Sequence, residues 1–282
     1  MVAREARDTV RRVCEYIHTK QTQDGGYFFA RVPPGSLLDS YFAVRTLQML
    51  GRCCKRPAAL RRFVESFVRQ GLVNNAHSLY LAMGIIQALG QGTDLLSDTS
   101  EAVAEELRRW VSEYSVDGIY IEVASELEAA YEATWALARL GVPLPTKAIT
   151  QFISSFRNKD GGFGRGARST LATTHYAIQT FSELGLRVDE PQQVVAFLRS
   201  REDDIYFLED LYYLVGALCG LGETPLNPSG VVSFVLGCRR ENGGFARGVP
   251  IGIPTLEYTY YAVSVLKQMG FLPGGNEHLG RF

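Results

Sequence analysis

Six times along the chain a leucine or methionine is followed by glycine in the same local setting. The pairs are Leu50-Gly51, Leu89-Gly90, Leu140-Gly141, Leu184-Gly185, Leu221-Gly222 and Met269-Gly270, with the glycines 39, 51, 44, 37 and 48 residues apart. Ten residues before each glycine stand Tyr41, Tyr80, Tyr131, His175, Tyr212 and Tyr260. Eight before stand Ala43, Ala82, Ala133, Ala177, Leu214 and Ala262, and four before stand Leu47, Ile86, Leu137, Phe181, Leu218 and Leu266. Agreement at several offsets in all six copies marks a repeat architecture built by stacking one supersecondary unit. Each glycine reads as the left-handed residue that closes a helix.

A second apolar stripe precedes each of these helices, as in Val10/Val13/Cys14/Ile17, Leu60/Phe63/Val64/Phe67, Ile149/Phe152/Ile153/Phe156 and Val231/Phe234/Val235. That spacing is one face of an amphipathic helix. Asp8, Thr146 and Ser229 are expected N-caps, and Pro57, Pro143, Pro191 and Pro228 mark helix starts. Sustained period-two alternation is absent from the sequence, so strands should be few. The chain therefore reads as six helical hairpins. In each second helix, one face is small and apolar, while the other mixes aromatics with polar groups, as in Glu128/Tyr131/Glu132/Trp135 and Glu209/Tyr212/Tyr213. A mixed face of that kind suits the wall of a lined cavity, so the expected fold is all-α: a closed α/α toroid of six hairpins, one domain over residues 1–282. Tyr41, Tyr80, Tyr131, Trp135, Tyr176, Tyr212, Tyr213, Tyr260 and Tyr261 are its expected cavity lining.

Composition narrows the partners. A net charge of −1 argues against nucleic acid, whose phosphates select basic faces. The opening "MVAREARDTVRR" carries no apolar core of a signal peptide, and apolar runs such as Val231 to Gly237 are too short to span a bilayer. Five cysteines with no CxxC pair read as reduced thiols, so the expected location is the cytoplasm.

Three copies carry a longer signature: "DGGYFFAR" from Asp24, "DGGFGRGARSTLATTHYAIQTFSELG" from Asp160 and "NGGFARG" from Asn242. Gly25-Gly26, Gly161-Gly162 and Gly243-Gly244 supply a sharp turn, with Tyr27, Phe163 and Phe245 plugging between hairpins. With the helices that follow, these stretches resemble the prenyltransferase/squalene-cyclase repeat, which includes protein prenyltransferase β subunits and class II terpene cyclases. The resemblance spans all six units and is strongest in the first, fourth and sixth. It implies an aromatic barrel that holds an isoprenoid or prenyl diphosphate, together with a partner subunit or a homodimer. The thioester-protein motif Gly-Cys-Gly-Glu-Gln does not occur.

The resemblance also implies sites, and the sequence departs from several of them. The family's zinc is held by Asp-x-Cys at one helix start and His at the next. Here those positions carry Ala172 and Thr174 with Glu209, or Glu209 and Leu211 with Glu257, so zinc is not expected. The cyclase motif DxDD is missing, which leaves Glu128, Glu132, Glu209, Glu257 and Asp39 as candidate acids or as helix-start carboxylates favoured by the dipole. "DDIYFLED" offers a weak magnesium-type cluster at Asp203 and Asp204. The family's diphosphate loop, an Arg followed by a Lys, is approached by Arg165 and Arg168 at the same three-residue spacing in a loop one residue shorter after Phe163, with Arg247 in the sixth unit, and guanidinium groups at helix starts suit an anion. His175 replaces a repeat tyrosine, either as a packed core residue, as a diphosphate donor, or as a proton acceptor. His77 lies at the same rim.

Overall fold

The computed structural model describes residues 2–30, 34–113 and 125–273, so most of the C-terminal "PGGNEHLGRF" lies outside the described residues. Among the described residues, twelve α-helices alternate between two rings. The outer helices are α1 (Val2–His18), α3 (Pro57–Arg69), α5 (Ser97–Glu113), α7 (Thr146–Ser154), α9 (Pro191–Arg199) and α11 (Pro228–Gly237). The inner ones are α2 (Leu37–Met49), α4 (Ala76–Ala88), α6 (Glu126–Arg139), α8 (Leu171–Glu183), α10 (Leu208–Gly220) and α12 (Leu256–Gln268). Among the described residues, β pairing is limited to isolated bridges such as Arg157–Phe163 and Arg239–Phe245 beside the glycine turns.

Inner helices touch in the order α2, α4, α6, α8, α10, α12 and back to α2, so the ring is closed. Burial follows from that placement. Helix α4 buries residues on nearly every side, from Leu79 and Leu81 through Ile86, whereas α3 buries only Leu60, Phe63 and Val64. A helix walled on both sides must be apolar around its circumference, and one facing solvent needs a single stripe. All six closing glycines adopt the expected left-handed conformation, with φ between 64° and 78°. Five inner helices are capped by a polar side chain: Ser36, Asn75, Ser125, Thr170 and Thr255. Three expected outer caps differ. Asp8 lies inside α1, which starts at Val2, and pairs with Arg11 and Arg12. Thr146 is already helical after Pro145. Asn227, immediately before Pro228, caps α11 by accepting from the Gly230 N–H at 2.9 Å, a place Ser229 cannot take because it is already helical.

The Gly-Gly turns weld neighbouring units. A Cβ on Gly25 would lie 2.4 Å from the Ala59 carbonyl oxygen, on Gly161 2.2 Å from that of Gln193, and on Gly243 2.4 Å from that of Arg12. Each turn thus docks on the outer helix of the next unit (α3, α9 and α1), and the last one joins the two ends of the chain. Tyr16 of α1 strengthens that seam by donating to the Pro254 carbonyl at 2.9 Å.

Candidate functional site

The inner faces meet as an unbroken circuit of aromatic rings. Ring centroids run Tyr41 to Tyr80 at 5.0 Å, Tyr80 to Tyr131 at 5.9 Å, Tyr131 to Tyr176 at 5.7 Å and Tyr176 to Tyr213 at 5.7 Å. From there Tyr213 reaches Tyr261 at 6.2 Å, Tyr261 stacks on Tyr212 at 4.4 Å, Tyr212 reaches Tyr260 at 5.9 Å, and Tyr260 returns to Tyr41 at 6.1 Å. Trp135 meets Tyr80 edge-on at 4.9 Å, and Phe42 joins beside Tyr260. These spacings lie in the range where aromatic quadrupoles attract. The Tyr41 and Tyr80 hydroxyls are hydrogen-bonded to each other. Burial pushes the phenols of Tyr41, Tyr80, Tyr131, Tyr176, Tyr212, Tyr213 and Tyr261 above the ordinary tyrosine value, so they stay neutral. Of these rings Tyr41 and Tyr261 are buried, whereas Tyr80, Tyr131, Tyr176, Tyr212, Tyr213 and Tyr260 keep part of their surface exposed.

Above this circuit, at the N-terminal ends of the inner helices, the carboxylates converge. Glu257 accepts from the Tyr261 hydroxyl at 2.9 Å, and Glu128 from Tyr176 at 2.6 Å. Burial raises the Glu257 carboxyl; the Tyr261 bond partly opposes this, and the charges of Glu209, Asp39 and Glu128 push it further up. Asp39 is also raised, mainly by burial, against the pull of its Ser36 hydrogen bond and Lys20. Glu257 therefore holds a proton more readily than a free glutamate does. On the same rim the Nδ1 of His77 and the buried Glu132 carboxylate are 2.8 Å apart. That pairing joins two helices and was not legible from either residue alone.

The arginines occupy a different part of the rim. Arg165 and Arg168 line a cavity of about 450 Å³ with Ser125, Glu126, Leu127, Phe156, Thr170 and Thr173. It sits between the starts of α6 and α8, and Arg165 pairs with Glu126 at 3.3 Å. Arg247 is held by Glu209, Nε to Oε1 2.6 Å, and covers the Phe207 ring at 4.0 Å. His175 is placed with the aromatic circuit, packed on Tyr176, Tyr212 and Tyr213, while the Arg165 cavity is lined by other residues. Burial lowers its pKa to about 4, so the imidazole is neutral at pH 7. Asp203 and Asp204 form a short 3-10 turn ahead of α10.

Two features escaped sequence reasoning. Arg45 is buried on α2 with its guanidinium 6.0 Å from the Tyr41 ring centroid and 5.8 Å from that of Trp135, and it donates to Gln48 at 2.7 Å. Its place on the inner face, six residues before Gly51, was the available signal. The second is a hydroxyl eleven residues before the closing glycine. Ser40, Thr174 and Thr259 accept from the backbone N–H of Tyr27, Phe163 and Phe245 at 2.9, 3.0 and 3.1 Å.

At the two registers that the resemblance implies for the family's zinc, the thiolate place is taken by Thr174, whose hydroxyl accepts from the Phe163 N–H, or by Leu211, which has no donor atom in its side chain. Among the described residues no three His, Cys, Asp or Glu side chains come together as a metal site. No helix there is long and apolar enough to cross a membrane.

Comparison with known proteins agrees with this architecture. Fifteen solved chains match. One is a Candida albicans protein geranylgeranyltransferase-I complexed with GGPP, with a TM-score of 0.63 at 16% identity, covering 82% of this chain and 83% of that one. No curated protein matches the sequence. The prenyltransferase alpha-alpha toroid domain matches over residues 2–204 and 204–280, nearly the whole length, and the chain belongs to that family.

Proposed function

We propose that this protein is an isoprenoid-handling enzyme of the prenyltransferase and terpene-cyclase type, working without the family's usual zinc or DxDD acid. The observation that carries the reading is the closed aromatic circuit lying directly beneath the carboxyl of Glu257. Aromatic faces attract a developing carbocation, and a proton-bearing carboxyl beside them suits alkene protonation. Burial, and after it the charges of Glu209, Asp39 and Glu128, raise the Glu257 carboxyl. Arg165 and Arg168 receive the diphosphate of a prenyl substrate, with Mg2+ as its natural counter-ion. Arg247 contributes less, because Glu209 already neutralises it. The geranylgeranyltransferase of the same fold is described with a prenyl diphosphate, which supports that ligand class. Five free cysteines suit a reducing compartment such as the cytoplasm.

The mutual contact of the tyrosines favours a second reading, a non-catalytic prenyl-binding or scaffold toroid that acts with a partner subunit. Under the first reading the side chains swing aside to admit the chain of the ligand. Incubation with geranyl, farnesyl and geranylgeranyl diphosphate, followed by mass spectrometry and calorimetry, separates the two. Conversion of one of them supports the enzyme. Tight binding without conversion supports the second reading. Affinity no better than that of inorganic diphosphate defeats both.

A further inference from the structure

Glu132 of α6 is a carboxylate set into an aromatic face. At its place, nine residues before the closing glycine, the other units carry Phe42, Leu81, Tyr176, Tyr213 and Tyr261. Its side chain is 5% exposed, and its Oε1 lies 2.8 Å from the Nδ1 of His77 on α4, which is 14% exposed. A charge buried in such a place costs free energy unless it is partnered, and the imidazole supplies the partner. Tyr80 and Trp135 follow one turn deeper on the same two helices, edge-on at 4.9 Å, so the pair rests on the aromatic circuit. A capping box fixes the turn that carries His77: Asn75 accepts from the Ser78 N–H at 2.8 Å, and Ser78 accepts from the Asn75 N–H at 3.2 Å. Because a carboxylate only accepts, the hydrogen between the two belongs to Nδ1, and the lone pair of the neutral ring lies on Nε2. An imidazole backed by a carboxylate is a means of activating a hydroxyl as a nucleophile.

We propose that His77 is the general base of a prenyl transfer, that Glu132 is its positioning residue, and that the acceptor is a hydroxyl compound. The proposal rests on the reading of Arg165 and Arg168 as the diphosphate site. Their cavity is lined by Ser125, Glu126 and Leu127 at the start of α6, and Glu132 lies five residues beyond Leu127 on that helix, about 8 Å of rise. One helix thus carries both halves of the site, the place where diphosphate leaves and the pair that takes a proton. In the step, the acceptor O–H gives its proton to the Nε2 of His77. The acceptor oxygen forms a bond to the first carbon of the prenyl chain as the bond from that carbon to the diphosphate oxygen breaks. That bond's electron pair leaves with the diphosphate, which Arg165 and Arg168 receive. Glu132 steadies the imidazolium, which then returns its proton to solvent. Tyr80, Tyr131 and Trp135 stand beside the pair as the wall for the chain. The step takes no proton from Glu257, so it is distinct from alkene protonation at that carboxyl.

His77→Gln keeps a donor for Glu132 but cannot take a proton. Farnesyl diphosphate is offered with benzyl alcohol or with benzyl mercaptan; mass spectrometry reads the ether or thioether, and calorimetry reads diphosphate affinity. The parent should form the benzyl ether. His77→Gln should lower its kcat at least about a hundredfold, the scale of a lost general base, with affinity kept within about twofold. A kcat held within about twofold, or a loss of affinity as large as the loss of rate, overturns the role of His77. Thioether in place of ether overturns the hydroxyl assignment. Should His77→Gln fail to fold, Glu132→Gln removes the charge and keeps an acceptor for Nδ1; it should lower kcat at least about tenfold with affinity kept. In ligand-free protein at about pH 8, above the ordinary imidazole range, nitrogen-15 spectra assign His77, one of four histidines, by the signals that His77→Gln removes. Nε2 should resonate as an unprotonated nitrogen, and an Nε2–H signal overturns the base. Farnesyl diphosphate that binds and is joined to neither acceptor defeats the transfer and leaves the isoprenoid reading standing. Affinity no better than that of inorganic diphosphate defeats that reading and the transfer with it.

Discussion

The imidazole of His175 occupies the space that any side chain at position 216 would need: a Cβ on Gly216 would lie 2.5 Å from its Cε1. The same relationship recurs between Tyr41 and Gly84, at 2.4 Å from Cε2. In both cases the ring of one unit seats in the notch left by a glycine on the next inner helix. Gly216→Ala gains about 1 kcal/mol of helix propensity. It must displace a ring wedged among Tyr176, Tyr212 and Tyr213, an overpacking that costs about 1–3 kcal/mol. Urea denaturation should therefore find Gly216→Ala less stable than the parent. A gain in stability would mean that His175 moves freely and that the notch is not what holds it.

Thr174 carries the second prediction. Its side chain is fully buried and receives the Phe163 N–H at 3.0 Å. Thr174→Val conserves shape and removes that acceptor, leaving a buried N–H unsatisfied, a loss of about 1–3 kcal/mol. Thr174→Ser should recover most of it, because the acceptor returns. A Val variant as stable as the parent would show that the hydroxyl does not hold the turn.

Much of this architecture was legible because it is imposed locally. A helix closed by a left-handed residue needs glycine, so the six closing glycines could be found by eye, and the tyrosines by their offset from them. The hydroxyl at Ser40, Thr174 and Thr259 was also in the text: units without a Gly-Gly turn carry Leu79, Ala130 or Leu211 there. Its meaning depends on a backbone N–H some eleven to fourteen residues away, which only the folded turn brings into place. The His77–Glu132 pairing and the burial of Arg45 depend on which inner helices are neighbours, and offsets within one unit cannot give that. The mutual contact of the tyrosines depends on the radius of the ring, a property of the closed assembly.

Diphosphate affinity separates the three arginines. Arg165 is 66% exposed in its side chain and meets Glu126 at 3.3 Å, so it is free to turn toward an anion. Arg247 is tied to Glu209 at 2.6 Å. Hydrogen bonds to a charged group contribute about 1.5–3 kcal/mol, so Arg165→Ala and Arg168→Ala should each weaken farnesyl diphosphate binding by roughly tenfold or more. Arg247→Ala should have a smaller effect, because it removes a charge already spent on Glu209. Calorimetric titration with the diphosphate and with the corresponding alcohol checks this. An unchanged affinity in both Arg165→Ala and Arg168→Ala would move the anion site elsewhere.

The last prediction concerns acid. Burial lowers His175 from 6.5 to about 4 in the folded chain, so between those values the unfolded state binds more protons than the folded one. Stability must then rise with pH across that window, or equally fall as pH drops through it, and by pH 5 the loss from this residue alone is about 2 kcal/mol. Glu257 and Asp39 are shifted upward, so they bind protons more readily when folded and push stability the other way. The His175 contribution is isolated by comparing the parent with His175→Phe, which keeps a ring in the notch beside Gly216 and removes the titration. The two stability curves should converge as pH falls from 7 toward 4, with the variant losing less. Curves that stay parallel would mean that the imidazole titrates alike in the folded and unfolded chains, and that burial does not hold it neutral.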